Sequence, residues 1–339
     1  MMRAASYTRT GPAAEVLRVG LHPMPAPGPD EVLVRIAASG INPADVKRRA
    51  GWNGARMEHD LVIPHCDGAG SITAVGAGVD PARIGQRVWL WNAQGGYGTR
   101  GRAHGTAAEF IALPQAQAVP LADALSFDEG ACLGVPALTA WLAVMGEGPV
   151  AGKTILVQGA AGAVGSMAVQ IARDAGAEVL ATVSNSAGAA LVAPLGAAHI
   201  LDRGQEDVPA RVRTLTAGRG VDRIIEVDLA ANMRADAAML ALHGTIASYS
   251  CSSDPTPILP YYDLANLGAA IRFIQGFSLP PALRPQAEAA IADLTARGAL
   301  RPLIGAAFAL DDIALAHARV EARAPGQTIL TLSPAGDRP

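Results

Sequence analysis

From about residue 152 the chain changes rhythm, and that change limits the folds open to it more than any other feature. Short aliphatic runs, "TILVQG", "AEVLATV", "AHILD", "VDRIIEVD", "GTIASYS" and "IRFIQGF", alternate with stretches such as "GSMAVQIARDAG", "EDVPARVRTLTAG" and "ANMRADAAMLALHG". In these stretches apolar residues recur three and four apart, the spacing of one helix face. Strands joined through helices run parallel, and the helices then cover both faces of the sheet. The first 125 residues read differently. There, "EVLVRIAASG", "GSITAVG", "RVWLW" and "AAEFIALP" are short β-type runs between Gly and Pro turns, which predicts a β-rich, barrel-like domain. After the helical "PQAEAAIADLTARGAL", the closing "RPLIGAAFAL" and "QTILTL" look like that first half again. The chain is expected to start one domain, build a second over residues 126–301, and return to complete the first, which comprises 1–125 and 302–339.

The loop "GAAGAVG", Gly159 to Gly165, follows the first alternating strand and opens a helix. Small residues in that setting let the backbone approach a pyrophosphate, whose charge is held by N–H groups at the helix N-terminus. Gly162, Ala163, Val164 and Gly165 are the residues expected to make that approach, with Ala160 standing where the first glycine of the dinucleotide fingerprint would be. An NAD site usually carries a carboxylate about 20 residues on, at the end of the second strand, for the ribose hydroxyls. This strand ends in Ser184 and Asn185 instead, which favours NADPH, since a carboxylate there would repel a 2′-phosphate. Arg203, after the third strand, is the candidate cation for that phosphate; its alternative reading is a solvated loop arginine. "GEGPVAGKT" ends like a nucleotide-triphosphate loop, but Glu147 occupies its first glycine position and the run precedes its strand.

Composition excludes several classes. With 50% hydrophobic and 17% charged residues, 37 Gly and 24 Pro, the chain describes a compact globular protein with many tight connections. A net charge of -3 offers no general attraction to nucleic acid or an anionic membrane, so the expected partner is a small molecule. The N-terminal stretch lacks the apolar core of a signal peptide and no run is long enough to span a bilayer, which predicts a cytoplasmic protein. Cys66, Cys132 and Cys251 are scattered, so neither a disulfide framework nor a closed zinc cluster is suggested.

The run "GPVAGKTILVQGAAGAVGSMAVQIARDAGAEVLATV", with "GVDRIIEVD", "HGTIASYS", "ASGINPADVKRRAG", "IPHCDGAGSITAVGAGV" and "GACLGVPALTAWLAV", resembles the zinc-free quinone oxidoreductase (zeta-crystallin-like) branch of the medium-chain dehydrogenases/reductases. The likeness runs from about residue 15 to 332. It implies an α/β fold class, a GroES-like β-rich domain joined to a Rossmann doubly wound parallel sheet that holds NADPH. It also implies a homodimer or homotetramer, in the simplest case through edge pairing of the strand near Ile271 to Phe277. In the zinc-dependent branch, the segments matching "SGINPAD" and "PHCDGAG" supply a cysteine and a histidine ligand. Here those positions are Asn42 and Cys66, so no bound metal is expected.

Without a Lewis acid, a conjugated acceptor is the easier substrate. Hydride added to a quinone or to the β-carbon of an enone leaves a charge that delocalises. Resemblance places Asn42 near the nicotinamide ribose or the substrate oxygen, and Thr139 against the nicotinamide. It places Tyr249, Gly276 and Phe277 along the cofactor, and Arg323 toward the adenosine phosphate. Two departures bear on the substrate pocket: Lys47 and Trp52 stand where many relatives carry tyrosines. Trp52 could wall a flat acceptor or simply pack, and Lys47 with Arg48 and Arg49 could favour an anionic substrate or form a solvated face. Gly188 also replaces a lysine usual in relatives. The loop over 92–105 could be a lid or a surface loop, with His104 and Tyr97 as candidate proton donors. A specialised enoyl thioester or enone reductase, and a non-catalytic NADPH-binding or RNA-binding protein, remain alternatives.

Overall fold

The computed structural model describes residues 1–54, 56–95 and 101–332. The chain forms two compact units, Met1–Pro136 with Ile304–Pro339, and Ala137–Leu303. Among the described residues no helix is long and apolar enough to cross a membrane.

The first unit opens with β1 (Met2–Ser6), α1 (Ala13–Val16), β2 (Arg18–His22), β3 (Glu31–Ile41) and α2 (Pro43–Ala50). It continues with β4 (Asp67–Val75), β5 (Arg87–Leu90), β6 (Phe110–Pro114), β7 (Ala118–Pro120) and α3 (Phe127–Gly130). Strands β1 and β2 form an antiparallel ribbon of their own, while β3, β4, β5 and β7 are successive neighbours in a larger sheet, with β6 also on β3. The alternation of β3 sends Val32, Val34 and Ile36 into a core with Ile72, Val88, Leu90, Ile111 and Leu113. Each such fully buried aliphatic side chain contributes about 2 kcal/mol relative to exposure.

The second unit runs α4 (Leu138–Met145), β8 (Thr154–Val157), α5 (Ala163–Asp174), β9 (Glu178–Val183), α6 (Ser186–Val192) and β10 (His199–Asp202). It goes on through α7 (Val208–Leu215), β11 (Val221–Glu226), α8 (Leu229–Met239), β12 (Leu240–Ser248), α9 (Tyr261–Asn266), β13 (Ala270–Phe273) and α10 (Arg284–Ala296). The six strands lie in the order β10-β9-β8-β11-β12-β13, and all pairings are parallel. This is the doubly wound order expected from the alternation. The order reverses between β8 and β11, and a crevice for a ligand opens beyond the carboxyl ends of strands at such a point.

The chain then returns through β14 (Ile304–Ala309), α11 (Ile313–Glu321) and β15 (Gln327–Thr331). β15 pairs antiparallel with β3, Thr328 opposite Ile41, and carries β14 on its other side.

Two local expectations change. The stretch "ANMRADAAMLALHG" reads as one helix, yet α8 ends at Met239 and Leu240 begins β12, opposite Val221. Leu240 fits the helical spacing, but its burial in the sheet core decides the outcome. The sixth strand is shorter than the run "IRFIQGF", stopping at Phe273, and Gly276 and Phe277 lie beyond it, as expected, in a buried turn.

Candidate active site and dinucleotide site

In the first unit the site is built where β3 passes into α2. Asn42 caps α2, its backbone N–H donating to Asp45 Oδ2 at 2.8 Å, with Pro43 in the first helical turn. The Asn42 amide Nδ2 donates to Asp67 Oδ2 at 2.7 Å, and the Val135 N–H donates to the same oxygen at 2.9 Å. Asp67 is fully buried, and burial holds its carboxyl well above the usual range against the Asn42 hydrogen bond. Burial likewise lifts Asp45 to about 6, opposed by the Asn42 N–H. The Cys66 thiol is raised well above its ordinary value by burial and by Asp45, so it stays protonated. Arg48 Nη1 stands 3.7 Å from its sulfur, and the thiol faces Gln94 Oε1 at 3.9 Å.

His65 adopts a left-handed φ of 81° and belongs to a different network. Its Nδ1 meets Ser39 Oγ at 2.9 Å, Ser39 meets Thr106 Oγ1 at 2.8 Å, and the Thr106 hydroxyl donates to the Asp67 carbonyl at 2.5 Å. Its Nε2 lies 2.9 Å from Nε2 of His317 on α11, while His317 Nδ1 is buried without a partner. Hydrogen-bond counting assigns the tautomers. If His317 donates through Nε2, every donor in the network finds an acceptor, and only an imidazole lone pair is left over. The opposite choice would strand a buried N–H, which costs more.

The basic run after Asn42 divides three ways. Lys47 Nζ sits 4.5 Å from the centroid of the Trp52 ring, which is 39% exposed. Arg48 reaches Cys66 and the Gly95 carbonyl. Arg49 is buried, donates to the Gly11 carbonyl at 2.5 Å and pairs with Glu321 of α11. The run is therefore not one solvated face, because Arg48 and Arg49 are tied into the fold. Asn42 caps the start of α2, and Trp52 follows the glycine that ends it, its ring folded over Lys47.

The loop after β5 is pinned at both described ends. Ala93 N–H donates to the Cys66 carbonyl at 2.8 Å, and Arg102 donates to the Ala93 carbonyl at 2.7 Å and to Gln117 at 2.6 Å. His104 pairs with Ile63 in a short parallel bridge, and partial burial together with His22 and His59 lowers its pKa. Tyr97 lies outside the described residues.

In the second unit the loop between β8 and α5 takes the expected place. Its left-handed residue is Gly159, at φ 66°, so the tight-turn role assigned by spacing to position 160 falls one residue earlier. A side chain on Gly165 would collide with the Gly159 carbonyl and with Ala160 Cα. Gly162 caps α5, and the half-buried Ala163 and Val164 begin its first turn, where backbone N–H groups lack helical acceptors. A cavity of about 260 Å³ is lined by Gln158, Thr182, Arg203, Asp207, Asn232 and Met239 among others. Asn185 Oδ1 caps α6 by accepting from Gly188 N–H at 2.9 Å, so this oxygen already has a donor; Ser184 beside it is exposed. A second cavity of about 340 Å³ is lined by Leu229, Ser248, Tyr249, Cys251, Phe273 and Ile274 among others. Tyr249 belongs to it; Gly276 and Phe277 are buried past its edge. Thr139 is buried on α4 of this unit. Arg323 is exposed in the turn after α11, in the first unit. Sequence reasoning did not single out His317, Asp236 or Gln158. Ile313, Ala316 and Val320 show helical spacing that could have exposed α11 and, on the same face, His317.

Two family models match the chain: the alcohol dehydrogenase GroES-like domain over residues 28–123 and the zinc-binding dehydrogenase domain over 163–295. Rat quinone oxidoreductase is 31% identical over 299 residues, covering 87% of this chain and 86% of the relative. Among solved structures, an NAD-dependent alcohol dehydrogenase superposes with a TM-score of 0.89 at 30% identity, covering 98% of this chain and 100% of that one. A mycobacterial protein solved with NADPH gives 0.83 at 27% identity, covering the same shares of the two chains. One matching domain is named for zinc, and the residues here do not fit that ion. Asn42 presents an N–H to a carboxylate, the Cys66 sulfur faces the Arg48 guanidinium, and among the described residues no three His, Cys, Asp or Glu side chains are grouped to hold a metal. The two-unit fold, the glycine loop at the sheet's switch point and the extent of these matches make the chain a nicotinamide-dependent oxidoreductase of the medium-chain dehydrogenase/reductase superfamily, of the quinone oxidoreductase type.

Proposed function

We propose that this protein is an NADPH-dependent, zinc-independent reductase of quinones or α,β-unsaturated carbonyls. The observation that carries the reading is the pairing of Asn42 with Asp67 and of Cys66 with Arg48. Those contacts occupy the positions where zinc ligands stand in metal-dependent relatives and leave no Lewis acid for a developing alkoxide. A conjugated acceptor needs none, because its charge spreads into an enolate or hydroquinone anion. The bound nicotinamide supplies the hydride. Asn42, with one amide N–H directed to Asp67, has a second with which to hold an acceptor oxygen or the ribose.

NADPH is assigned through Arg203. Arg203 lines the 260 Å³ cavity, and the acids bordering that cavity already have donors. Asp207 accepts from Ala210 N–H at 3.1 Å, and Glu206 accepts from Asp202 N–H at 3.1 Å. The test is oxidation of NADPH and NADH by the purified protein with 9,10-phenanthrenequinone, 1,4-benzoquinone and a simple enone, with and without EDTA. Chelator-resistant turnover that prefers NADPH is the expected result. Loss of turnover with EDTA would overturn zinc independence, and equal use of NADH would overturn the Arg203 assignment.

A homodimer is part of the same proposal. β13 is an edge strand of its sheet, and Phe273 on it is 75% exposed, with Ile258 and Tyr262 exposed nearby in the chain. An apolar edge left in water invites pairing with another chain, here a second copy. Light scattering should show a dimer that Phe273→Glu dissociates; a monomeric wild type would refute it.

A further inference from the structure

Two carboxyl groups are buried together beneath the carboxyl ends of the second unit's strands. Glu226 ends β11, Asp236 lies on α8, and neither is accessible to solvent. Glu226 Oε1 accepts from the Asp228 backbone N–H and from Asn232 Nδ2, the latter at 2.9 Å. Asp236 Oδ1 accepts from Gln158 Nε2 at 2.9 Å. The two remaining oxygens, Glu226 Oε2 and Asp236 Oδ2, are buried and receive no N–H or O–H from any described group, and the two carboxyls are close enough for each to perturb the other. Two carboxylate oxygens can hydrogen-bond only if a proton lies between them, and two full negative charges in so dry a place would repel strongly.

From this pair a hydrogen-bond chain of one sense leads to the glycine loop. Gly159 N–H donates to Thr182 Oγ1 at 3.1 Å, the Thr182 hydroxyl donates to Gln158 Oε1 at 2.7 Å, and Gln158 Nε2 donates to Asp236. Gly159 is also the residue whose left-handed turn shapes the loop. We propose that Glu226 and Asp236 share a single proton, and that the pair, acting through Gln158 and Thr182, positions the glycine loop for its dinucleotide. The inference rests on the second unit being the dinucleotide site. Asp236 is thus a positioning residue, reaching the ligand only through others.

The consequence is a pH dependence of binding. The other titratable groups that interact with the pair are Asp228, beyond β11, and Tyr249 and Cys251, beyond β12, all of them acids. Arg203, Glu206 and Asp207 border the cavity that Gln158 and Asn232 also line. Burial, and for Asp236 the charge of Glu226, raise both carboxyls, so the shared proton is held above the usual carboxylate range and is lost as pH rises. Its loss sets two like charges below a loop that must accept a pyrophosphate, and affinity should fall.

The test compares wild type, Asp236→Asn and Asp236→Leu for NADPH and NADH affinity from neutral to alkaline pH. Asparagine can donate to Glu226 and still accept from Gln158. Asp236→Asn should bind within about threefold of wild type at neutral pH and stay flat where wild type weakens about tenfold. Asp236→Leu strands the Gln158 amide and should bind about tenfold more weakly at every pH. Two readouts need no cofactor: the infrared carbonyl stretch of the pair's protonated carboxyl, read as a band lost in the difference spectrum between wild type and Asp236→Asn so that Asp67 cancels, and hydrogen exchange at Gly159, faster only in Asp236→Leu. If Asp236→Leu does not fold, Gln158→Leu breaks the same chain with the pair intact. A wild-type pH profile in Asp236→Asn, or wild-type affinity and exchange in the leucine variants, overturns the proposal. Failure of wild type to bind either dinucleotide instead refutes the site reading, and the infrared and exchange results still decide the shared proton and the positioning.

Discussion

In the first unit the buried titratable pair is two imidazoles, His65 and His317; in the second it is two carboxyls, Glu226 and Asp236. The first pair is complete with the protons that neutral histidines carry, and its network ends in serine, threonine and a carbonyl within the core. The second needs one extra proton and leads by a directed chain to the loop that holds a ligand. The first is a strut. It joins the turn before β4 to α11 across most of the sequence, beside the Arg49–Glu321 pair and a Gln327 amide that donates to the Ile41 carbonyl at 2.8 Å. Similar burial thus serves closure of the fold in one unit and shaping of a binding loop in the other, because what matters is where the last donor points.

The comparison breaks first at Glu321. Glu321→Ala leaves Arg49 buried with, among the described residues, the Gly11 carbonyl as its remaining acceptor. It should destabilise the first unit by about 3 kcal/mol, the low end for a buried charge losing its partner, since water can reach the half-exposed Glu321 position. Chemical denaturation would show it, and a change under about 0.5 kcal/mol would mean the return segment is held by packing alone.

Acid offers the next test. Burial, with Arg49 nearby, lowers His317 to about 3. A depressed histidine contributes stability that is present above its unfolded value, near 6.5, and lost as pH falls toward the folded one. By about pH 5 the loss should reach about 2 kcal/mol. Asp45, lifted to about 6, acts in the opposite direction, losing its contribution as pH rises. The informative quantity is therefore the difference between wild type and His317→Phe, whose stability should be flatter in acid. Parallel curves would remove the histidine pair as an acid-sensitive strut.

The smallest expected effect sharpens the second unit. Arg203→Ala should weaken NADPH about tenfold and leave NADH unchanged, as expected for one charge-assisted hydrogen bond to a 2′-phosphate. Equal loss for both dinucleotides in titrations would place Arg203 against the adenine or the pyrophosphate instead.

Much of this was legible in the chain. The alternation after residue 152 anticipated six parallel strands, and the glycine loop fell between β8 and α5 as its spacing predicts. Asn42 was legible as a position without a zinc-ligating cysteine, but its partner Asp67 was not. Trp52 and the basic run were not legible, since charge and aromaticity in a short stretch do not say which side chain turns inward; Arg49 did and Trp52 did not. Leu240 misled because one apolar residue satisfies helical and strand spacing alike.

What the sequence determined by itself is therefore local and periodic: which segments are strands and helices, and where small residues let a backbone approach a phosphate. These follow from steric and solvation preferences that act within a few residues. Tertiary structure decided the pairings that give buried polar groups their protonation and direction: Asn42 with Asp67, His65 with His317, Glu226 with Asp236. A buried hydrogen bond is chosen by whatever donor or acceptor the fold brings within reach once water is excluded, and that partner stands 25, 252 and 10 residues away in these three cases.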